Sequence, residues 1–483
     1  MTETAVPTIT PTALAGNVDL SRVHFVGVGG TGMLPLARLC AELGSTVSGS
    51  DIKETEALGA LAAMGVTVHT QHAARNVLAD ATAVVFTHAI DEHNPEIKAA
   101  ELRDIPVVHR STVLNQVLEG RTAIGVVGTH GKSSTAGMLA TGLSRMGCAP
   151  SYVVGGELDG LASGGRLGDG ELFVAEVDES DRTFFNVAVD VAVVTSIEHD
   201  HPETYADLAE HVDAYEQFVK GMRPNGIVVL NADSLGCRVL AARLCLAVDG
   251  PRLVTFGTST SATWRISQPD SRDGRGTATL TGPAGVELKL EVSVPGVHQL
   301  HNAAAVVAAV HALGLDAAEL VQELRHFDGI KRRLSPVTSA PAEVRVYDSC
   351  AHHPTEITAD LAAATSLAGT GRVLAVFQPG GQARLAAFGT ELGQALAGAD
   401  QLVITGAAAV VPASLQELAS AVTDAGGTAS AVEPDRADAV AAIVEAARPG
   451  DVVVLIGTGD LVDHGAHAAA WLVKKFEQSV AAA

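Results

Sequence analysis

The sequence predicts an α/β protein of three domains, each built on a largely parallel sheet covered by helices. Three observations carry that expectation. Short apolar runs of strand length alternate with helix-patterned stretches through nearly all of the chain, and such alternation marks strand–helix–strand units. Two of the runs open directly into glycine-rich turns followed by helical patterns. At 483 residues, with 47% hydrophobic and 18% charged positions, the chain can bury about three ordinary domain cores.

Residues 1–21 mix Thr, Pro and Ala without a Lys or Arg and read as a flexible N-terminal tail. They lack the basic start and apolar core of a secretory signal. The first domain, 22–121, opens with a strand at Val23–Val26, turns through Gly27-Val-Gly29-Gly30-Thr31-Gly32 and enters a helix over Met33–Leu43. Strands at Thr46–Gly49, Val66–His69, Ala83–Thr87 and Pro106–His109 complete a Rossmann-like pattern. The second domain, 122–333, starts with a strand at Ala123–Val127 and a second phosphate-type turn. Further strands at Leu172–Val177, Val191–Ile197 and Gly226–Leu230 make it P-loop ATPase-like. Residues 250–295 are richer in Thr and Gly, and Val286-Glu-Leu-Lys-Leu-Glu-Val292 alternates in polarity. That predicts a small antiparallel excursion before an alanine-rich helix at His298–Ala312. The third domain, 334–483, carries strands at Val344–Tyr347, Val373–Phe377, Gln401–Thr405 and Val452–Ile456 between alanine-rich helices and is again Rossmann-like.

Fifty-five acidic against 32 basic side chains give a formal net charge of −23, which speaks against broad attachment to nucleic acid or an anionic membrane. No apolar run reaches the roughly 20 residues of a membrane-spanning helix. Five cysteines, Cys40, Cys148, Cys237, Cys245 and Cys350, are odd in number and lack C-x-x-C spacing, which suits a reducing, cytoplasmic setting. Monomer or homodimer is left open.

The run Gly128-Thr129-His130-Gly131-Lys132-Ser133-Ser134 predicts a nucleoside triphosphate site. Backbone N–H groups and the helix dipole gather phosphate oxygens, Lys132 reaches the terminal phosphates, and the Ser133 hydroxyl can ligate Mg2+. The match to G-x-x-x-x-G-K-[ST] is imperfect, because Val126 stands at the first glycine position and Gly128 comes two residues later. Gly27 to Gly32 with Asp51 downstream form G-x-G-x-x-G, which suits a diphosphate. A dinucleotide and a nucleotide sugar both contain one, so a nicotinamide dehydrogenase stays open on this turn alone. It would leave the second turn unused, together with two polar clusters, Glu176-Val-Asp178-Glu179-Ser180-Asp181 and Glu198-His199-Asp200-His201. Carboxylates and imidazoles at strand ends can ligate metals that bridge phosphates. Chemistry driven by ATP with Mg2+ is therefore expected.

Taken together, Val26–Met33, Ser48-Gly-Ser-Asp51, Gly128–Thr135, Ala175–Asp181, His298-x3-Asn302-Ala-Ala-Ala, Gly329-Ile-Lys-Arg-Arg333 and His352-His353-Pro-Thr-Glu356 resemble the Mur ligase family, from about Val23 to Asp460. The resemblance implies a nucleotide-sugar domain, a central ATPase domain and a C-terminal amino-acid domain. It places the UDP-sugar on Gly27, Gly29, Gly30, Thr31, Gly32 and Asp51. It places ATP on Gly128 to Ser134, with His298, Asn302, Arg333 and Asp348 nearby, one Mg2+ on Ser133 and Glu176, and a second Mg2+ on His201 shared with Glu176. Catalysis would fall to Lys132, Glu176, His201 and Arg333, and the amino acid to Cys350, His352, His353 and Arg384. The implied activity is ATP-dependent ligation of the UDP-N-acetylmuramate carboxylate to L-alanine or another small amino acid, through an acyl phosphate, in cytoplasmic peptidoglycan precursor synthesis. A paralogue joining a different acid and amine, and a murein-peptide recycling ligase, are the neighbouring alternatives; a catalytically inactive nucleotide-binding regulator would give no reason to keep Lys132, Glu176 and His201 together.

Two departures fall on the implied amino-acid side. Where the family usually has a tyrosine before Ala/Gly-His-His-Pro, this chain has Cys350, and where it has Gln-Pro-His, this chain reads Gln378-Pro379-Gly380. Arg384 remains. Thr195-Ser196 replaces a common Thr-Asn, and Ser133 keeps the hydroxyl that a threonine supplies. Cys350 as a nucleophile is a further possibility, against the commoner role of a small packing residue.

Overall fold

The computed structural model describes residues 17–53, 55–158, 164–180, 182–247, 250–337, 343–407 and 410–481. Most of the expected tail, residues 1–16, and Asp181 of the first acidic cluster lie outside the described residues.

The first sheet has five parallel strands in the spatial order Thr67–His69, Thr46–Ser50, Arg22–Val26, Ala83–Phe86, Val107–His109. Helices cover both faces, so neighbouring residues of one strand are all buried: Val23 and Phe25 join one apolar cluster, Val26 another. The chain order reverses beside strand Arg22–Val26, and the first glycine turn stands at that strand's C-terminal end, where open α/β sheets form binding crevices.

Behind the end of the neighbouring strand lies a buried carboxylate, Glu96. It accepts hydrogen bonds from Ser50 Oγ at 2.5 Å, Asn76 Nδ2 at 2.6 Å and Ala73 N at 3.3 Å, and faces His72 Nδ1 at 3.1 Å and His24 Nε2 at 3.5 Å. Burial opposes its charge, yet His24, Ser50 and Asn76 together bring its pKa down to about 2. A folded value below the ordinary 4.5 means that the stabilisation is complete above that pH and is lost as the pH falls towards 2. Glu96→Gln is expected to lower the unfolding midpoint at neutral pH and to flatten the acid limb between about pH 5 and pH 2. Circular dichroism reads both, and an unchanged acid limb contradicts this role for Glu96.

The central sheet has ten strands in the order Glu287–Val292, Arg275–Thr281, Trp264–Arg272, Arg252–Gly257, Ile227–Asn231, Val191–Val194, Thr122–Val127, Leu172–Glu176, Ser151–Val153, Gly165–Arg166. The expected antiparallel excursion is present as strands Trp264–Arg272, Arg275–Thr281 and Glu287–Val292, and it extends the central sheet: Trp264–Arg272 pairs in parallel with Arg252–Gly257 through Phe256 and Gly257. Trp264, Ile266, Leu280, Leu290 and Val292 point to the same apolar cluster as helix Val297–Ala312, so the hairpins are held by the main core. The strand expected to run to Ile197 ends at Val194. Thr195 N still donates to Val127 O at 3.0 Å, and beyond it Ser196 O accepts from Thr129 N at 2.9 Å, so the chain passes from the sheet onto the phosphate turn.

The third sheet orders Arg333–Pro336, Arg345–Ser349, Val452–Gly457, Val373–Gln378, Gln401–Thr405, Ala429–Glu433, all parallel except the first. Its two faces carry their own apolar clusters. The first two sheets, by contrast, share one: Val113, Leu114 and Leu118 pack in a cluster with Val187, Val189 and Phe184. The third domain meets the second through polar side chains, an interface that permits relative motion more readily than an apolar one.

Candidate active site

Strand Thr122–Val127 runs into Gly128, and helix Lys132–Arg145 begins four residues later. Both intervening glycines are required. Gly128 has φ +133 and a Cβ there would lie 2.0 Å from Thr195 Oγ1; Gly131 has φ +79 and a Cβ would lie 2.5 Å from Asn302 Oδ1. The turn therefore closes tightly over the start of the helix and presents N–H groups to an anion. Lys132 Nζ donates to Gly128 O at 2.7 Å and to the buried Glu179 Oε1 at 2.9 Å. Burial works against its charge, but Glu179, Asp178 and Glu176 outweigh it and hold the ammonium above its ordinary pKa. Tyr205 fixes the Glu179 backbone by donating to its carbonyl at 2.6 Å.

Ser133 Oγ donates to Glu176 Oε1 at 2.8 Å, and Gly155 N donates to the other carboxylate oxygen at 2.6 Å. His201 sits in the left-handed region, with φ +53, and its Nδ1 lies 3.1 Å from Glu203 Oε1. Such a backbone conformation is uncommon in a non-glycine residue and gathers at functional sites. Among the described contacts Glu176 and His201 do not touch each other; each flanks the Lys132–Glu179 pair, Glu176 through Ser133 and His201 through its electrostatic coupling to Glu179.

Beside the turn lies a cavity of about 400 Å³. Of the residues expected at ATP, His130, Gly131, Ser133, Ser134, His298, Asn302 and Arg333 line it. Gly128 and Thr129 form the turn behind it. Asp348 does not line it: its carboxylate accepts from Ser335 Oγ, and burial raises its pKa. Burial, with His301 nearby, pushes the His298 pKa down to about 4, so this wall of the cavity is a neutral imidazole. Asn231, Asp233, Phe256, His301 and Asp360 also line the cavity and were not singled out from the sequence. Asn231 and Asp233 follow a strand end at the same edge as the phosphate turn, a positional signal that was legible. Asp360 is pushed up to about 7 by burial, and it lies on a helix with no motif to mark it.

Arg333, the last residue of the expected second domain, opens the edge strand of the third sheet, Arg333–Pro336, with Arg332 at φ +65 and Leu334 at φ +51 on either side. Its Nη2 lies 3.4 Å from Ser133 Oγ and its Nη1 3.9 Å from Glu356 Oε1. Arg384 makes a two-pronged pair with Asp200, at 3.0 and 3.2 Å. His352 Nδ1 lies 2.8 Å from Cys350 O, and His353 Nε2 lies 3.2 Å from His199 O. Burial pushes the Cys350 thiol up, only partly offset by Arg333, which favours a packing role over a nucleophile. Glu198 and Glu356, which carried no assigned role, hold His130 between them at 3.0 and 3.3 Å.

The first glycine turn is built separately. Asp51 accepts from Gly29 N at 2.9 Å, so its carboxylate shapes the turn itself. A Cβ on Gly32 would lie 2.7 Å from Arg110 Nη1, and Arg110 pairs with Asp178 of the second domain at 2.9 Å. Arg110 thus links the first glycine turn to the acidic loop after strand Leu172–Glu176.

Three consecutive matches span this arrangement. Residues 22–122 match the Mur ligase family, catalytic domain; 126–310 the Mur ligase middle domain; and 332–459 the Mur ligase, glutamate ligase domain. The chain belongs to the Mur ligase family, whose members are ATP-dependent ligases serving peptidoglycan precursor synthesis. It is 43% identical over 92% of its length to a UDP-N-acetylmuramate–L-alanine ligase of Streptomyces avermitilis, covering 96% of that protein. A crystal structure of UDP-N-acetylmuramate–alanine ligase MurC from Thermotoga maritima superposes with a TM-score of 0.79 at 28% identity, over 95% of this chain and 99% of that one. A murein peptide ligase from Psychrobacter arcticus shares the fold, with a TM-score of 0.69 at 22% identity over 94% and 98% of the two chains. Among the described residues no helix is long and apolar enough to cross a membrane.

Proposed function

We propose that this protein joins the carboxylate of UDP-N-acetylmuramate to the amine of L-alanine or another small amino acid, with cleavage of ATP to ADP and phosphate, in the cytoplasm. The observation that carries the reading is the meeting of Arg333, the first residue of the third sheet, with Ser133 of the phosphate turn, at 3.4 Å, on the wall of one cavity. In this reading residues 22–121 hold the UDP diphosphate on the Gly27–Gly32 turn, 122–333 hold ATP, and 334–483 hold the amino acid.

A carboxylate is a poor electrophile. Its oxygen first attacks the γ-phosphorus and the bond to ADP breaks, giving an acyl phosphate; the amine then attacks the acyl carbon and phosphate leaves. The turn's N–H groups and Lys132 offset charge on the transferring group, Arg333 adds a cation from the opposite side, and no protein nucleophile takes part. His298 and Asn302 border the nucleotide. The residues suit Mg2+: Ser133 Oγ and Glu176 are hard oxygen donors beside the turn, and Glu179 Oε2 is buried without a hydrogen-bond partner among the described residues. Mg2+ held by Ser133 and Glu176, with a second ion on His201 shared with Glu176, would supply charge stabilisation to the phosphoryl group. An ADP-release screen with UDP-N-acetylmuramate against amino acids and short peptides tests the reading. ADP release that needs both the acid and a small amino acid supports it; release with peptides alone favours a recycling ligase and overturns it.

The two departures predict the amine preference. A Cβ on Gly380 would lie 3.3 Å from His352 Cβ, 3.5 Å from Thr458 Oγ1 and 3.8 Å from Arg384 Cδ, so a side chain there would stand among the implied amino-acid residues. Glycine at 380 and cysteine at 350 leave that space wider and less polar. Glycine, alanine and serine are expected to compete within roughly 10- to 200-fold in kcat/KM, the span of one small contact. Gly380→His with Cys350→Tyr is expected to sharpen selectivity. Tight alanine preference in the unaltered chain, unmoved by the double substitution, contradicts this.

A further inference from the structure

Three side chains from two domains converge beside the phosphate turn: His130 on the turn, Glu198 on the loop after strand Val191–Val194, and His353 at the start of helix Pro354–Ala368. His130 Nε2 lies 3.0 Å and His353 Nδ1 3.8 Å from the same Glu198 oxygen, Oε2. The two rings are 4.5 Å apart between centroids, and one donor atom from each residue lies within 4.8 Å of the others. Donors on a tetrahedral zinc at bond lengths of ~2.1 Å stand about 3.4 Å apart, and the two shorter separations bracket that value.

An oxygen faces the far side of each imidazole, in hydrogen-bond geometry for His353 and as a close carboxylate for His130. His130 Nδ1 lies 3.3 Å from Glu356 Oε1, and His353 Nε2 lies 3.2 Å from the backbone oxygen of His199. A carboxylate or carbonyl on the outer nitrogen is the arrangement that fixes the tautomer of a metal-binding histidine and aims its other nitrogen inward. Here both inner nitrogens face Glu198. Two bonds from Thr355 compete with a metal: Glu198 Oε2 accepts from Thr355 Oγ1 at 2.7 Å, and His353 Nδ1 accepts the cap from Thr355 N at a long 3.3 Å.

We propose that His130, Glu198 and His353 form a site for one divalent transition-metal ion of the zinc class, separate from Ser133, Glu176 and His201. Two imidazoles with one carboxylate favour Zn2+ or Co2+ over Mg2+, whereas hydroxyl and carboxylate oxygens beside phosphates suit Mg2+. Because His130 and Glu198 belong to the second domain and His353 to the third, the ion fastens the third domain onto the phosphate turn.

The test uses the full chain, freed of metal by a chelator and then titrated with Co2+ in excess Mg2+. Visible absorption and calorimetry follow the titration, and Zn2+ then displaces the Co2+. One equivalent of Co2+ with the intense bands of a four- or five-coordinate ion is expected. Glu198→Gln and His353→Ala, checked for fold by circular dichroism, should weaken binding at least about 10-fold, the scale of even an outer-partner loss. Glu176→Ala should bind as the unaltered chain does. Zn2+ should raise the unfolding midpoint of the unaltered chain and not that of His353→Ala. Binding that survives Glu198→Gln and His353→Ala, binding lost with Glu176→Ala, or the faint bands of hydrated Co2+ alone would each overturn the proposal.

Discussion

Lys132→Ala is expected to lower ADP release by at least about 10³-fold, since removing one preorganised charge donor from a transferring group already costs about 10² to 10³. The same substitution also strikes the fold. Lys132 is the partner of Glu179, whose carboxyl burial already pushes upward in pKa. Stranding that group should cost about 3 to 5 kcal/mol, the scale for breaking a buried pair from one side. The sequence marks Lys132 for work on phosphate, and its buried partner adds a role in the fold. Lys132→Met combined with Glu179→Gln removes both charges and should recover much of the stability while activity stays absent. Urea unfolding and ADP release separate the two effects. Activity restored in the double variant would remove Lys132 from the phosphate site.

Glu176 and His201 carry the second large effect. Glu176→Ala is expected to reduce Mg2+-dependent ligation by about 10² to 10³, while UDP-sugar binding, assigned to the first glycine turn, stays within about two-fold by calorimetry. Part of any loss will come from the Gly155 N–H that Glu176 Oε2 accepts at 2.6 Å. Glu176→Gln retains an acceptor there and distinguishes the two roles: ligation should remain low although the fold is restored. For His201, asparagine is the informative replacement, because it tolerates the left-handed backbone at φ +53. Variants that lose sugar-nucleotide binding yet keep Mg2+-dependent ATP turnover would contradict the placement.

The sequence exposed those parts of the site whose geometry demands a rare residue. Gly128 and Gly131 are needed for close approach, and Lys132 and Ser133 follow them at fixed offset, so a short local pattern reveals the whole turn. Long buried strands such as Val373–Gln378 and Val452–Gly457 were equally plain, because both faces are covered and the run is wholly apolar. Short strands at one end of the central sheet, Ser151–Val153 and Gly165–Arg166, have too few residues to show a period. The same holds for contacts made across domains. Asp200 with Arg384, Glu198 with Thr355 and His130 with Glu356 are more than 150 residues apart in the chain, and nothing local announces such pairs. Asp348 is expected at the nucleotide from the family resemblance alone, and its contact with Ser335 across the antiparallel pair at the edge of the third sheet is marked by no local pattern.

The most direct measurement follows the oxygen of the acid. UDP-N-acetylmuramate carrying 18O in its carboxylate, incubated with ATP, Mg2+, L-alanine and the protein, should yield inorganic phosphate containing one carboxylate oxygen, because that oxygen leaves with the phosphoryl group when the amine attacks. Mass spectrometry of the phosphate reads the label, with Lys132→Ala as the control that releases none. Amide product accompanied by unlabelled phosphate, or ADP release that proceeds without the acid, would contradict ligation through an acyl phosphate.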